Sequence, residues 1–242
     1  MSARTLNNKS SLSTILTELR YTLSQAQAQP LGAPFVPGLQ ALRDDWTPLN
    51  NHEIALTEKL SDAQAQVDAA DVGLDDFAGR LSKAILIITG DDRAHPLYLH
   101  YFGKKNLTEF RRPILAGQLA SQKAWLPSLK ASDYPSLAAM APELDLLIKA
   151  ADAAVKLKSE ARQQNRQFRD VGERKLYIDK LNAYRKSMYG DLAKMPYEQP
   201  GLPTDFADHF FRADNAETQD DTIESVTEKI TTAKGELLVL ET

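Results

Sequence analysis

Residues 136–188 read SLAAMAPELDLLIKAADAAVKLKSEARQQNRQFRDVGERKLYIDKLNAYRKSM, and this stretch decides the fold. Apolar side chains recur in its first half at steps of three and four residues, at Leu137, Met140, Leu144, Leu147, Ala151 and Ala154. Because an α-helix completes a turn in about 3.6 residues, these side chains lie on one face of a helix. The stretch therefore predicts either one long helix or two helices that meet near Gly172.

The same periodicity recurs in the rest of the chain. Apolar residues follow three- and four-residue steps from Leu39 to Ala70, and a shorter face follows Ser10 and Ser11, either of which can cap a helix. Glycine and proline number only 11 and 12 in 242 residues, and alternation with a period of two is nearly absent. We expect an all-α fold, an elongated antiparallel helical bundle with Pro-rich connectors.

Two features inside the long face from Leu39 predict interruptions. Pro48 predicts a kink or the first residue of a new helix, because proline lacks a backbone N–H. Asp71 and Gly73 then predict the end of that helix.

Composition divides the chain into four segments: a flexible N-terminus (1–9), the helical bundle (10–212), an acidic linker (213–221) and a coiled-coil-like helix (222–242). A Trp-x-Pro step occurs at Trp46 and again at Trp125. This weak internal similarity raises the alternative that the bundle consists of two similar halves, 10–103 and 105–212.

The last predicted helix has apolar residues at heptad spacing, namely Ile223, Val226, Ile230, Ala233, Leu237 and Leu240. About three heptads are marginal for an isolated coil, and Gly235 destabilises the helix by about 1 kcal/mol. The segment therefore needs a partner, either a second copy of the chain or the body of the protein. Residues 214–242 contain eight acidic residues and two lysines, so docking on a basic surface is one alternative.

The second half of the opening stretch is basic. Between Lys156 and Lys186 there are ten Lys or Arg residues and four acidic ones, in a chain with a net charge of −4. Four of these cations have helical spacing and are candidates for following a phosphate backbone: Lys158, Arg162, Arg166 and Arg169. However, the pI of about 5.6 is acidic, and helices commonly carry charge on their solvated face. A polyanion- or nucleic-acid-binding adaptor is therefore the second hypothesis.

The motifs of common catalytic and metal sites are missing from the sequence. There is no cysteine, and none of the four histidines belongs to a Glu-x-x-His or His-Glu-x-x-His motif. Gly-rich phosphate loops and a Gly-x-Ser-x-Gly elbow are also missing. We expect no enzymatic activity, no metal and no cofactor, and a catalytic or metal-binding bundle is the least favoured hypothesis.

The abundance of amphipathic faces indicates the preferred function. We expect a non-enzymatic structural or scaffolding protein that self-associates, or that binds another helical protein, through these faces and the C-terminal heptads. No window approaches the ~18 apolar residues that span a membrane, and the N-terminus lacks the apolar run of a signal peptide. We therefore expect no membrane partner and a cytoplasmic location.

Overall fold

The computed structural model describes residues 5–111 and 116–212. These residues contain helices and no strand, which confirms the all-α prediction. The α-helices are α1 (Leu12–Ala28), α2 (Val36–Thr89), α3 (Pro96–Phe102), α4 (Leu107–Arg111), α5 (Ala116–Lys130), α6 (Pro135–Ala138), α7 (Ala141–Asp170) and α8 (Glu173–Glu198). Short 3-10 helices occupy Pro30–Phe35 and Phe206–Phe210. The predicted acidic linker and C-terminal helix lie outside the described residues.

The chain forms two compact units. Among the described residues, the terminal unit combines 5–51 with 169–212, and the central unit lies within 52–168. Helix α2 contributes its first part to the terminal unit and its remainder to the central unit. These boundaries do not coincide with the predicted halves 10–103 and 105–212, and an internal duplication stays a prediction.

The terminal unit begins with a capped amphipathic helix. The Ser11 hydroxyl accepts a hydrogen bond from the Thr14 N–H at 3.1 Å, which satisfies one of the free N–H groups at the start of α1. The buried face of α1 comprises Leu12, Ile15, Leu19, Leu23 and Ala26. The proline-rich connector that follows folds into the first 3-10 helix, so it continues the helical path into α2.

Within the terminal unit, α8 packs antiparallel to the first part of α2. The Tyr177 hydroxyl donates to the Leu42 carbonyl at 2.9 Å, and the Tyr184 hydroxyl donates to the Phe35 carbonyl at 2.8 Å. Gly38 lies directly beneath the Tyr184 ring, so any side chain there would collide with it. Two tyrosines thus fix the register of the two helices.

Within the central unit, α7 packs antiparallel to the remainder of α2. Arg80 forms an ion pair with Glu143 near one end. Near the other end, the Asn165 side chain donates to the Leu56 carbonyl at 3.1 Å. The end of α2 thus contacts the start of α7, and an earlier part of α2 contacts the end of α7, so the two helices run antiparallel.

An aromatic cluster fills the core between α3, α4 and α5. The Trp125 indole N–H donates to the Tyr101 carbonyl at 2.9 Å, and its ring stacks on Phe110 with centroids 4.8 Å apart. Phe102 contacts both of these rings edge-on. All four residues are buried, so the aromatic helix α3 is part of the central core.

Helix α2 is one helix of 54 residues, so the predicted helix end at Asp71 and Gly73 is wrong, and so is the alternative in which Pro48 starts a new helix. Gly73 does not end it: a Cβ there would lie 3.1 Å from Leu147 Cδ2, so glycine permits close packing of α7. That packing compensates for a helix-interior glycine, which costs about 1 kcal/mol. Pro48 has no backbone N–H, so the carbonyl four residues before it lacks its usual helical donor. Because Pro48 is exposed, water can reach that carbonyl instead.

Residues 136–188 were predicted to form either one long helix or two helices that meet near Gly172, and the structure has two long helices. Helix α7 ends at Asp170 and α8 begins at Glu173, with Gly172 at the N-cap. One uninterrupted helix is therefore excluded. The start of the stretch belongs to the separate short helix α6.

Candidate interaction surfaces

The predicted basic stretch does not form a continuous basic surface. Of its ten cations, Arg174 and Arg185 are buried in the terminal unit, with only 7% and 1% of their surface exposed. The Arg174 guanidinium donates to the Ser10 carbonyl at 2.5 Å. Two of the ten cations are therefore buried and do not contribute to a basic surface.

Arg185 sits in a set of compensating contacts. Its Nη1 donates to the Thr22 hydroxyl at 3.2 Å, and its Nη2 lies 3.7 Å from Glu18 Oε2. The guanidinium carbon also lies 4.9 Å from the centroid of the Phe211 ring, within the range of a cation–π interaction. A buried cation is tolerated when an opposite charge and hydrogen bonds replace its water shell, so this arrangement is structural.

The four candidate polyanion-binding residues share one face of α7. Lys158, Arg162, Arg166 and Arg169 follow one another at four, four and three residues. The three arginines are exposed and Lys158 is half-buried. Within residues 5–111 and 116–212, none of the four forms an ion pair, whereas the nearby Lys156 lies 4.0 Å from Glu160. Their charges are available to an anionic partner.

A second surface on α7 is apolar and exposed. We call it the exposed α7 stripe, and its residues are Leu146, Ala150, Ala153 and Leu157. The steps of four, three and four residues place them on one face, away from the core residues Leu144 and Ile148. Leu146 is 68% exposed and Leu157 is 41% exposed. Two leucines and two alanines therefore form a continuous apolar line in contact with solvent.

Lysines flank one side of the exposed α7 stripe. Lys149 and Lys156 each come one residue before a member of the stripe. The Lys149 ammonium lies 2.5 Å from Asp145 Oδ2, and this hydrogen bond holds the pKa of the Asp145 carboxyl below its usual range. The edge of the stripe is thus charged, as at the flank of a coiled-coil seam.

Sequence reasoning missed the exposed α7 stripe, although a signal for it exists. The spacing from Leu137 to Ala154 predicts one apolar face of this helix. A second set at the same three- and four-residue steps starts at Leu146. Two interleaved sets of apolar residues at helical steps are thus present in the sequence of this one helix.

The six candidate oligomerisation residues, Ile223 to Leu240, lie outside the described residues.

Two of the four histidines make local contacts. His95 Nδ1 accepts from the Leu97 N–H at 3.1 Å as the cap of α3, and His209 Nε2 lies 3.8 Å from Asp205. Among the described residues, no three His, Asp or Glu side chains gather as a metal site would require. For the same part of the chain, no helix has both the length and the apolar character needed to cross a bilayer.

An open cleft of about 480 Å³ is lined by Arg93, Asn106, Leu107, Thr108 and Glu109. Asn106 accepts from the Glu109 N–H at 2.8 Å, and Glu109 accepts from the Asn106 N–H at 3.1 Å. This reciprocal capping box satisfies two N–H groups, and Asn106 is the cap of α4. The Asn106 and Glu109 side chains of the cleft thus have a structural role.

The chain matches no known family model, no curated protein and no solved structure.

Proposed function

We propose that this protein is a non-enzymatic structural or scaffolding protein that self-associates, or binds another helical protein, through amphipathic helix faces. The exposed α7 stripe is the observation that carries this function. An apolar line kept in solvent and edged by charge is typical of a protein interaction site. The described part of α7 buries one face against α2 and leaves this second face for a partner.

Self-association is favoured over binding a different protein because the sequence predicts two apolar helix surfaces of the same kind. The exposed α7 stripe is one, and the heptad residues from Ile223 to Leu240 are the other. Each has apolar residues at three- and four-residue steps, the spacing that packs helices side by side. A chain with two such surfaces can assemble with copies of itself.

The test is the absolute mass of the full chain in solution, measured by light scattering at low and high salt. We expect a dimer or larger assembly at both, since contacts between apolar surfaces persist when salt screens charge. A monomer at both salt concentrations would contradict self-association.

Two matched variants test whether the stripe takes part. Leu157→Glu places a charge on the stripe, and Val155→Glu places the same charge elsewhere on α7, at a residue of similar exposure, 44% against 41%. We expect the first to lower the mass and the second to leave it unchanged. Equal masses for the two variants would remove the stripe from the interface.

A second candidate function is a polyanion-binding adaptor, with DNA or another polyphosphate as partner. The specific observation in its favour concerns four cations on one face of α7. None of them forms an ion pair with another described residue: Lys158, Arg162, Arg166 and Arg169. Arg162→Glu combined with Arg166→Glu should abolish retention on heparin, and Lys83→Glu, an exposed residue on α2, should not. Retention should fall steeply with salt because binding releases counterions; salt-independent retention would count against this function.

A further inference from the structure

We infer that the exposed α7 stripe binds the same stripe of a second copy of the chain, with the two α7 helices antiparallel. This inference rests on the self-association proposed above and deepens it, because it names the partner surface and its direction. Three observations favour this occupant: the order of residues along the stripe, the balance of charge at its ends, and the opposite charge of the two halves of α7.

The residues along the stripe read the same in both directions. Including the exposed glutamate at each end, they follow steps of three, four, three, four and three: Glu143, Leu146, Ala150, Ala153, Leu157 and Glu160. An antiparallel copy therefore sets Leu146 opposite Leu157, and Ala150 opposite Ala153. The small alanines at the centre let the helix axes approach to about 8 Å, the close end of the range for packed helices.

Among the described residues, the stripe lies on a side of α7 that the rest of the central unit leaves open. Helix α5 covers another side, where the Lys123 ammonium lies 2.7 Å from Asp152 Oδ1. Helix α2 packs on the core side, where Gly73 closely approaches Leu147. Leu146 keeps 68% of its surface exposed, so a second helix has room to pack against the stripe.

The charges at the two ends of the stripe balance in an antiparallel pair. Glu143 forms an ion pair with Arg80 of α2, and the Lys156 ammonium lies 4.0 Å from Glu160 Oε1. Antiparallel pairing brings the first of these ion pairs in one copy to the second in the other copy. Two cations and two anions thus meet at each end, and neither sign is in excess.

The lysines at the edge of the stripe also come near each other in this pair, Lys149 of one copy beside Lys156 of the other. Each has an acidic neighbour on its own helix: Lys149 lies 2.5 Å from Asp145 Oδ2, and Lys156 is paired with Glu160. Exposed charges that are already paired repel a further cation only weakly in salt solution. These lysines therefore do not prevent the pairing.

The charge along α7 favours the antiparallel direction over the parallel one. Residues 141–155 contain three acidic residues and one lysine, a net charge of −2, whereas residues 156–168 contain four cations and one glutamate, a net charge of +3. A parallel pair would align halves of like charge, and an antiparallel pair aligns halves of opposite charge. Packed helices lie about 10 Å apart, on the order of one Debye length, so charges on every face of α7 contribute.

Cross-linking of introduced thiols tests the pairing, because the chain contains no cysteine. Full-length Leu146→Cys and Leu157→Cys chains are mixed and treated with a short bismaleimide, which joins thiols that lie close together. In the inferred dimer these two positions face each other, whereas two copies of the same position lie about 16 Å apart along the helices. Leu146→Cys mixed with Ser159→Cys is the matched control, because Ser159 is exposed near Leu157 in height but on another face of α7.

We expect the mixture of Leu146→Cys and Leu157→Cys chains to give covalent dimers with a yield several-fold above that of the control and of either variant alone. Peptide mass mapping should find position 146 of one chain joined to position 157 of the other. A second mixture, Ala150→Cys with Ala153→Cys, keeps both leucines and should exceed Ala150→Cys with Ser159→Cys in the same way. Yields equal to the controls in both mixtures would overturn the inference, and so would efficient cross-linking of Leu146→Cys alone, which indicates a parallel pair.

Light scattering of the unmodified chain separates the failure of this inference from the failure of the proposed function. A dimer whose variants do not form these cross-links would uphold self-association and overturn the pairing of the two stripes. A monomer would contradict self-association and the pairing together.

Discussion

Arg185 and Glu18 form an ion pair inside the terminal unit, with Nη2 and Oε2 3.7 Å apart and the two side chains only 1% and 10% exposed. Removing one partner leaves the other charge buried without compensation, which costs about 3–5 kcal/mol. We therefore expect Glu18→Leu to lower the free energy of unfolding by about 3 kcal/mol. Urea unfolding followed by circular dichroism measures the change.

Replacing both members gives the control for this pair. Glu18→Leu combined with Arg185→Met should recover most of the loss, because an apolar pair needs no compensating charge. The exposed pair Lys180–Asp45 in the same unit, with side chains 63% and 51% exposed, gives the contrast. Asp45→Ala should cost less than about 1 kcal/mol. If Glu18→Leu and Asp45→Ala lowered the free energy of unfolding equally, the buried ion pair would be refuted.

Alanine substitutions at two glycines of the terminal unit are expected to change stability in opposite directions. At Gly38 a Cβ would collide with the Tyr184 ring, so Gly38→Ala should destabilise by about 1–3 kcal/mol. At Gly190, inside α8, a Cβ would meet nothing within 4 Å, so Gly190→Ala should stabilise by about 0.5–1 kcal/mol. Thermal unfolding of the two variants compares them directly. Stabilisation by Gly38→Ala would show that the helices do not approach as closely as described.

Burial raises the pKa of the Tyr177 hydroxyl, with a smaller contribution from the Asp45 carboxylate. The native state therefore keeps this proton at pH values where the unfolded chain loses it. Its contribution to stability is fully present below pH 10.0, the ordinary value, and is lost as the pH rises above it. Stability should thus fall in alkaline solution.

Tyr177→Phe isolates this contribution. At neutral pH it should cost about 1 kcal/mol, because the hydrogen bond to the Leu42 carbonyl is lost. Above pH 10.0 the free energy of unfolding should decline less steeply with pH in this variant than in the unmodified protein. Some decline should remain, because burial also raises the pKa of Tyr101, Tyr184 and Tyr189. Urea unfolding at a series of pH values tests both effects, and an unchanged slope would contradict the assignment.

Trp125→Phe tests the hydrogen bond at the centre of the aromatic cluster. Phenylalanine keeps the stacking on Phe110 but leaves the Tyr101 carbonyl without its N–H donor. We expect a loss of about 1–3 kcal/mol, the cost of leaving a buried polar group unsatisfied. Tyr134→Phe, at an exposed ring, should change stability by less than about 0.5 kcal/mol. A similar loss in both variants would rule out a specific role for the indole N–H.

The fold class and the long helices could be predicted from the sequence, because the steps of three and four residues are set by helix geometry alone. The break at Gly172 was one of two stated alternatives for the same reason. The continuity of α2 could not be predicted. Gly73 is accepted in a helix only because Leu147 of a helix distant in sequence packs against it.

The candidate surfaces could be predicted only in part. The helical spacing of Lys158, Arg162, Arg166 and Arg169 can be read from the sequence, and all four belong to α7, but their binding of a polyanion stays a prediction. Charge alone gave no sign that Arg185 is buried. Its partners, Glu18 and Thr22, belong to α1 and are brought near only by the packing of the terminal unit. The heptad residues beyond Arg212 remain predictions.

The division of the chain into units has a consequence for the order of events during synthesis. The central unit is one contiguous segment, so all its helices have left the ribosome once residues 52–168 have emerged. The terminal unit must wait, since Leu6 bonds to Asn182 and Thr22 to Arg185, across 176 and 163 residues. Contacts of such long sequence separation close late. Until α8 emerges, Leu6 and Thr22 therefore lack their partners Asn182 and Arg185, and the terminal unit can be completed only after the whole central unit has been synthesised.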